Sequence, residues 1–138
     1  MNLNHITYSV SDLARSMAFF ESALGAKRLV EGEKMAYYDI GGVWFALNVQ
    51  QDISRNDIEE SYTHLAFTVT EEELEEQKER FQRLGLSYTL GRPRDKEHEG
   101  NSIYFRDPDG HLFEFHTGSL EGRIQYYKDE KKPMTFTD

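Results

Sequence analysis

The segment Asn4-His5-Ile6-Thr7-Tyr8-Ser9-Val10-Ser11 returns in kind as Thr63-His64-Leu65-Ala66-Phe67-Thr68-Val69-Thr70. Both read histidine, aliphatic, small, aromatic, hydroxyl, valine, hydroxyl. Self-similarity of this sort means that one supersecondary unit is written twice, which restricts the fold more than any single residue can. Each copy alternates like a half-buried strand and ends on a hydroxyl residue suited to opening a helix. A helical stretch follows in both, from about Asp12 to Leu24 with a stop at Gly25, and from about Glu71 to Leu84 with a stop at Gly85. After the helices come strand-like stretches at Lys27–Glu31, Met35–Ile40 and Val43–Asn48, then at Ser87–Leu90, Ser102–Arg106 and His111–His116. The pattern predicts an α+β fold of two tandem βαβββ modules forming a cupped mixed sheet.

Turn chemistry supports the last two strands of each module, with Gly41-Gly42 in the first and Asp107-Pro108-Asp109-Gly110 in the second. The expected organisation is one domain over residues 1–138: module one at about 1–49, a polar linker at about 50–61, module two at about 62–118, and a C-terminal helix and tail at about 119–138. Within the last part, Ser119–Lys128 reads as helical and Lys131–Asp138 as an extended end. A polar insertion, Gly91–Asn101, carries Arg92, Pro93, Arg94 and Gly100 and has no counterpart in the first module. Added loops of this kind often shape a site.

Composition narrows the function. The chain has no cysteine, so disulfides, thiolate metal sites and a cysteine nucleophile are excluded, and any thiol chemistry needs a thiol from solution. A formal net charge of -9 argues against nucleic acid or an anionic membrane as partner, because both need cationic patches. An anionic small molecule is compatible with that charge if cations gather in a pocket. There is no long apolar run of membrane-spanning length, and Met-Asn-Leu-Asn-His lacks the pattern of a signal peptide, so the default expectation is a cytoplasmic protein.

A lone strand histidine is usually structural, but His5 and His64 occupy matched places in the repeat. If the modules pair about a pseudo-twofold axis, the two imidazoles point into one concave space and can share a metal. Aligning Gly42 with Gly110 sets Glu114 opposite Ala46, so one module offers a carboxylate where the other has a methyl group. Two histidines and one carboxylate leave coordination positions open, the arrangement of a catalytic site. Glu114 lies in Leu112-Phe113-Glu114-Phe115, where a charge without a partner is expensive to bury. His98, His111 and His116 are left outside this site, as solvated or hydrogen-bonding residues.

The motifs Asn4-His5-Ile6-Thr7, Gly42-Val43-Trp44-Phe45-Ala46-Leu47-Asn48, Ser61-Tyr62-Thr63-His64, Ser102-Ile103-Tyr104-Phe105 and Asp107-Pro108-Asp109-Gly110-His111 come in order along the chain. With Glu114-Phe115-His116-Thr117-Gly118, Arg123 and Met134-Thr135-Phe136, they resemble the vicinal oxygen chelate superfamily, and within it the fosfomycin-resistance metallothiol transferases. The resemblance implies that His5, His64 and Glu114 hold one divalent metal, and that Trp44, Tyr62, Arg92, Tyr104, Arg123 and Tyr37 surround the antibiotic. A phosphonate dianion needs charged donors, and arginine forks suit its oxygens. The expected metal is Mg2+ or Mn2+, although the ligand types also accept Zn2+, Fe2+ or Ni2+. The expected reaction is in-line attack of a small thiol on the epoxide, with Glu114 and Thr7 at the reacting centre.

Gly91-Arg92-Pro93-Arg94-Asp95 and Arg123-Ile124-Gln125-Tyr126-Tyr127-Lys128 most resemble the bacillithiol-type branch, which makes bacillithiol the favoured thiol and L-cysteine the next. One residue departs: many members of that branch carry cysteine where Thr7 stands, and the glutathione branch carries threonine. Thr7, two residues after His5, shares its strand face and so lies within reach of substrate. The resemblance also implies a homodimer. The competing readings are glutathione-using or water-using relatives, an extradiol-type dioxygenase, and a drug-binding protein without chemistry.

Overall fold

The computed structural model describes residues 1–137, and of Lys96 the backbone alone. The chain forms two compact units, Met1–Thr63 with Arg106–Leu112, and His64–Phe105 with the chain from Phe113 onward.

The first unit holds β1 (His5–Val10), α1 (Leu13–Ala23), β2 (Lys27–Glu31), β3 (Met35–Ile40), β4 (Val43–Val49) and a short α2 (Asn56–Glu60). Its sheet has the order β1-β4-β3-β2, with β1 parallel to β4 and the remaining pairs antiparallel. The helical turn of α2 lies inside the stretch read from sequence as a plain linker. Strand alternation divides the sheet faces. Tyr38, Phe45 and Leu47 are buried on one face, and Phe20 of α1 packs its ring 5.8 Å from Tyr38 and 6.4 Å from Phe45. The other face carries His5 beside Trp44, and Thr7 and Tyr37 beside Ala46, as the register requires.

The first helix does not start on the hydroxyl residue expected. Asp12 caps α1 by accepting from the Arg15 amide, while Ser11 gives its amide at 2.9 Å and its hydroxyl at 2.5 Å to the Asp109 carboxylate. The Asp109 carboxylate fixes where the Ser11 hydroxyl points, and the next short acceptor, Asp12, takes the cap. Gly41 and Gly42 both have positive φ, 61° and 86°, the backbone that a two-residue hairpin requires.

The second unit holds β5 (His64–Thr68), α3 (Glu71–Leu84), α4 (Lys96–Glu99), β6 (Ser102–Arg106), β7 (Leu112–His116) and α5 (Leu120–Asp129), with the sheet order β5-β7-β6. Phe81 of α3 is fully buried, with its ring 4.8 Å from Phe105 and 6.1 Å from Phe115. Thr70 and Glu73 close α3 with a reciprocal capping box, and Gly85 ends it in the left-handed region. Replacing Thr70 by Ala should therefore lower stability by about 1 kcal/mol in a denaturant titration, with no change in activity.

One expected strand shrinks to a single bridge. Of Ser87–Leu90 only Thr89 pairs, exchanging two 2.8 Å bonds with Tyr104. The chain then leaves the sheet at Gly91, where φ is +72° and any Cβ would come within 2.5 Å of the Tyr104 ring. The second repeat thus keeps the order of elements but not the fourth full strand. The insertion contains the short α4, capped by Asp95, and the tail begins with α5, capped by Ser119. Asp138, the last residue of the expected extended end, lies outside the described residues. Among the described residues no helix is long and apolar enough to cross a membrane.

Candidate metal centre

In the first unit, His5 stands exposed on β1 with its ring 4.4 Å from that of Trp44. Its Nδ1 lies 2.6 Å from the Asn4 side-chain oxygen. An amide oxygen only accepts, so this contact places the ring proton on Nδ1 and leaves the Nε2 lone pair for a metal. Tyr37 meets Trp44 edge-on at 5.0 Å, and Thr7 is exposed on the same sheet face. This unit therefore collects His5, Thr7, Tyr37 and Trp44 on one surface.

In the second unit, β5 and β7 set His64 and Glu114 on a common face, with His64 Nε2 at 3.9 Å from Glu114 Oε2. That separation is too long for a direct hydrogen bond. Glu114 is only 5% exposed. Among the described residues, its basic neighbours at ion-pair range are two imidazoles, His64 and His116, each at 3.9 Å. A carboxylate so placed calls for a cation to offset its burial, and the donor set of imidazole and carboxylate suits a divalent ion. His64 and Glu114 fit the expected metal. Among the described residues no cluster of three His, Asp or Glu side chains stands ready for a metal, and His5 belongs to the other unit.

Around the pair, Tyr104 is buried and meets the His64 ring edge-on at 5.6 Å. Tyr62 is 64% exposed. Arg92 stands at the outer side of the inserted loop, in a 3.1 Å ion pair with Glu99. Arg94, two residues on, reaches inward and donates to Ser102 Oγ and to the Tyr104 hydroxyl, each at 3.1 Å. Arg123 of α5 donates to the Glu99 carbonyl at 3.1 Å and lies 3.3 Å from His116 Nε2. The Nε atoms of Arg94 and Arg123 are buried without a hydrogen-bond partner. Two such cations, Arg94 at the buried Tyr104 and Arg123 at His116, form the local positive field that an anionic ligand requires, in a chain that is acidic elsewhere. Burial pushes the His116 pKa down, Glu114 opposes this, and Arg123 and Arg94 push it down further, so the ring is neutral near pH 7.

Sequence reasoning passed over Arg94, Ser102 and His116 as members of this cluster. Period-two alternation was the available signal: Ser102 precedes Tyr104 by two residues, and His116 follows Glu114 by two. Of the histidines set aside, His98 is half-exposed beside Asp95, and His111 bonds Asp107 at 2.8 Å.

A βαβββ-type repeat whose second copy sets a buried carboxylate opposite a solvent-accessible histidine, beside two half-buried arginines, points to a small-molecule enzyme with a doubled module. The profile of the Glyoxalase/Bleomycin resistance protein/Dioxygenase superfamily matches residues 2–115. The chain is 53% identical over 98% of its length to "Metallothiol transferase FosB" of Lysinibacillus sphaericus, covering 95% of that protein. It is 50% identical over 98% of its length to the protein of the same name from Staphylococcus saprophyticus, covering 89% of it. Among solved structures, the fosfomycin resistance protein FosX of Listeria monocytogenes, complexed with Mn(II) and sulfate, superposes with a TM-score of 0.80 at 37% identity, covering 91% of this chain and 97% of that one. The chain therefore belongs to the glyoxalase/bleomycin resistance/dioxygenase superfamily and, within it, to the metallothiol transferase FosB family.

Proposed function

We propose that this protein inactivates fosfomycin by adding a small thiol across its epoxide, using one divalent metal held by His5, His64 and Glu114. The observation that carries the reading is the buried Glu114 carboxylate facing His64, beside Arg94, Arg123 and Tyr104. The 53% identity to a metallothiol transferase over nearly the whole chain supports it. Mg2+ or Mn2+ is the proposed ion, in keeping with the Mn(II) of the FosX complex. Bound there, it supplies Lewis acidity toward the oxygens of the substrate.

The protein's own groups do the rest. Arg94, Arg123 and the Tyr104 hydroxyl hold the phosphonate by charge-assisted hydrogen bonds, with Arg92 and Tyr62 at the rim. Trp44 and Tyr37 wall the three-carbon body, and Thr7 presents its hydroxyl beside them. Fixing the phosphonate aligns the ring carbon for in-line attack by a thiolate whose proton has gone to solvent; the sulfur–carbon bond forms as the carbon–oxygen bond breaks, and the ring oxygen takes a proton back from solvent. Bacillithiol is the proposed donor and L-cysteine the next. The working form is a homodimer, of twice the 16.1 kDa chain mass, in the cytoplasm, where small thiols stay reduced.

A second reading, in which water is the nucleophile, is favoured by the likeness at 38% identity to a FosX variant complexed with Mn(II) and 1S,2S-dihydroxypropylphosphonic acid, a diol. Incubating fosfomycin and Mn2+-loaded protein with bacillithiol, L-cysteine, glutathione or water alone, and weighing the products, separates the two. The expected result is an adduct with the full mass of the thiol, formed fastest with bacillithiol. A hydrated product at equal rate without thiol would move the chain to the water-using reading.

A further inference from the structure

Beyond the metal ligands themselves, Ser102 and His116 form with Glu114 a hydrogen-bonded chain whose proton positions follow from donor and acceptor roles alone. Arg123 can only donate, so at 3.3 Å it makes His116 Nε2 an acceptor and places the imidazole proton on Nδ1. That Nδ1–H faces Ser102 Oγ at 2.6 Å and donates to it. Ser102 Oγ also accepts from Arg94 at 3.1 Å, which fills both its lone pairs. Its own proton then goes to Glu114 Oε1 at 3.3 Å. The other carboxylate oxygen, Oε2, is the one that faces His64.

We propose that Ser102 and His116 are positioning residues that hold Glu114 as a one-oxygen ligand, occupying Oε1 so that Oε2 alone is offered to the metal. The proposal rests on the reading of His64 and Glu114 as ligands. The backbone is shaped to admit the chain. A Cβ on Gly118 would come within 2.6 Å of His116 Nε2, and a Cβ on Gly100, where φ is +80°, within 2.6 Å of the Gly118 amide. Outer partners of this kind orient ligands and tune affinity without touching the ion.

The test measures Mn2+ binding to metal-stripped protein by electron paramagnetic resonance, both as affinity from the free-ion signal and as the zero-field splitting of the bound ion in frozen solution. Ser102→Ala and His116→Leu should weaken binding by roughly 10–100-fold and change the splitting, as Oε1 becomes available to the ion. His116→Asn, whose amide can present a donor near the place of Nδ1, should return both toward wild type. Metal-free thermal unfolding of each variant accounts for any loss of fold; if Ser102→Ala fails to fold, the His116→Leu and His116→Asn pair decides. Wild-type affinity and splitting in folded Ser102→Ala or His116→Leu would overturn the positioning role while leaving the ligands in place. Binding unchanged by His64→Ala or absent from the wild type would instead overturn the ligand reading, and the positioning role with it.

Discussion

Glu114→Gln is expected to abolish Mn2+ binding and thiol transfer together, each falling by more than the 10–100-fold typical of losing an outer-shell partner. The amide keeps the shape of the side chain and can still accept from Ser102, so the charge alone is removed. The same change should raise the thermal stability of the metal-free protein. A carboxylate that is 5% exposed, with imidazoles as its basic neighbours, is destabilising until a cation offsets it. A neutral isostere relieves that. Opposite movements of function and metal-free stability distinguish a ligand from a residue that merely packs. Calorimetry of stripped wild type and variant, together with a Mn2+ titration, measures both.

Arg94→Ala should lower kcat/KM for fosfomycin by roughly 10–150-fold, the equivalent of about 1.5–3 kcal/mol for a hydrogen bond to a charged group, chiefly through KM. Its guanidinium is held between Ser102 and the Tyr104 hydroxyl, already aimed, so little ordering is needed when an anion arrives. Arg94→Lys keeps the charge but loses the planar fork and should recover only part of the loss. Steady-state kinetics over a range of fosfomycin concentrations separate the KM effect from kcat. An unchanged KM in Arg94→Ala would remove this residue from the phosphonate site.

Much of the fold is legible in the sequence. The doubled His-aliphatic-small-aromatic motif locates β1 and β5 and, with the turn glycines, singles out His5, His64 and Glu114 as one metal set; His64 and Glu114 lie 3.9 Å apart in one unit, and His5 stands in the other. What could not be read locally was decided by contacts distant in sequence. Asp109, 98 residues from Ser11, takes that residue's amide and hydroxyl protons, and Asp12 caps α1 instead. Ser87–Leu90 became a bridge because Gly91 turns the backbone past the Tyr104 ring. The resemblance points to Arg92 and not to Arg94, and only Glu99, brought up by the α4 turn, shows Arg92 held at the loop's outer side while Arg94 bonds Ser102 and Tyr104. His116 looked like a strand-end residue until Arg123 of α5 closed the chain from Glu114.

The most direct measurement strips wild-type protein of metal with chelator, supplies fosfomycin and bacillithiol, and follows the adduct by mass before and after Mn2+ or Mg2+ is returned. No adduct above the enzyme-free rate without metal, and rapid formation on its return, is the predicted outcome. Adduct formation at the same rate in the stripped protein, or none with any metal and any thiol, would contradict it.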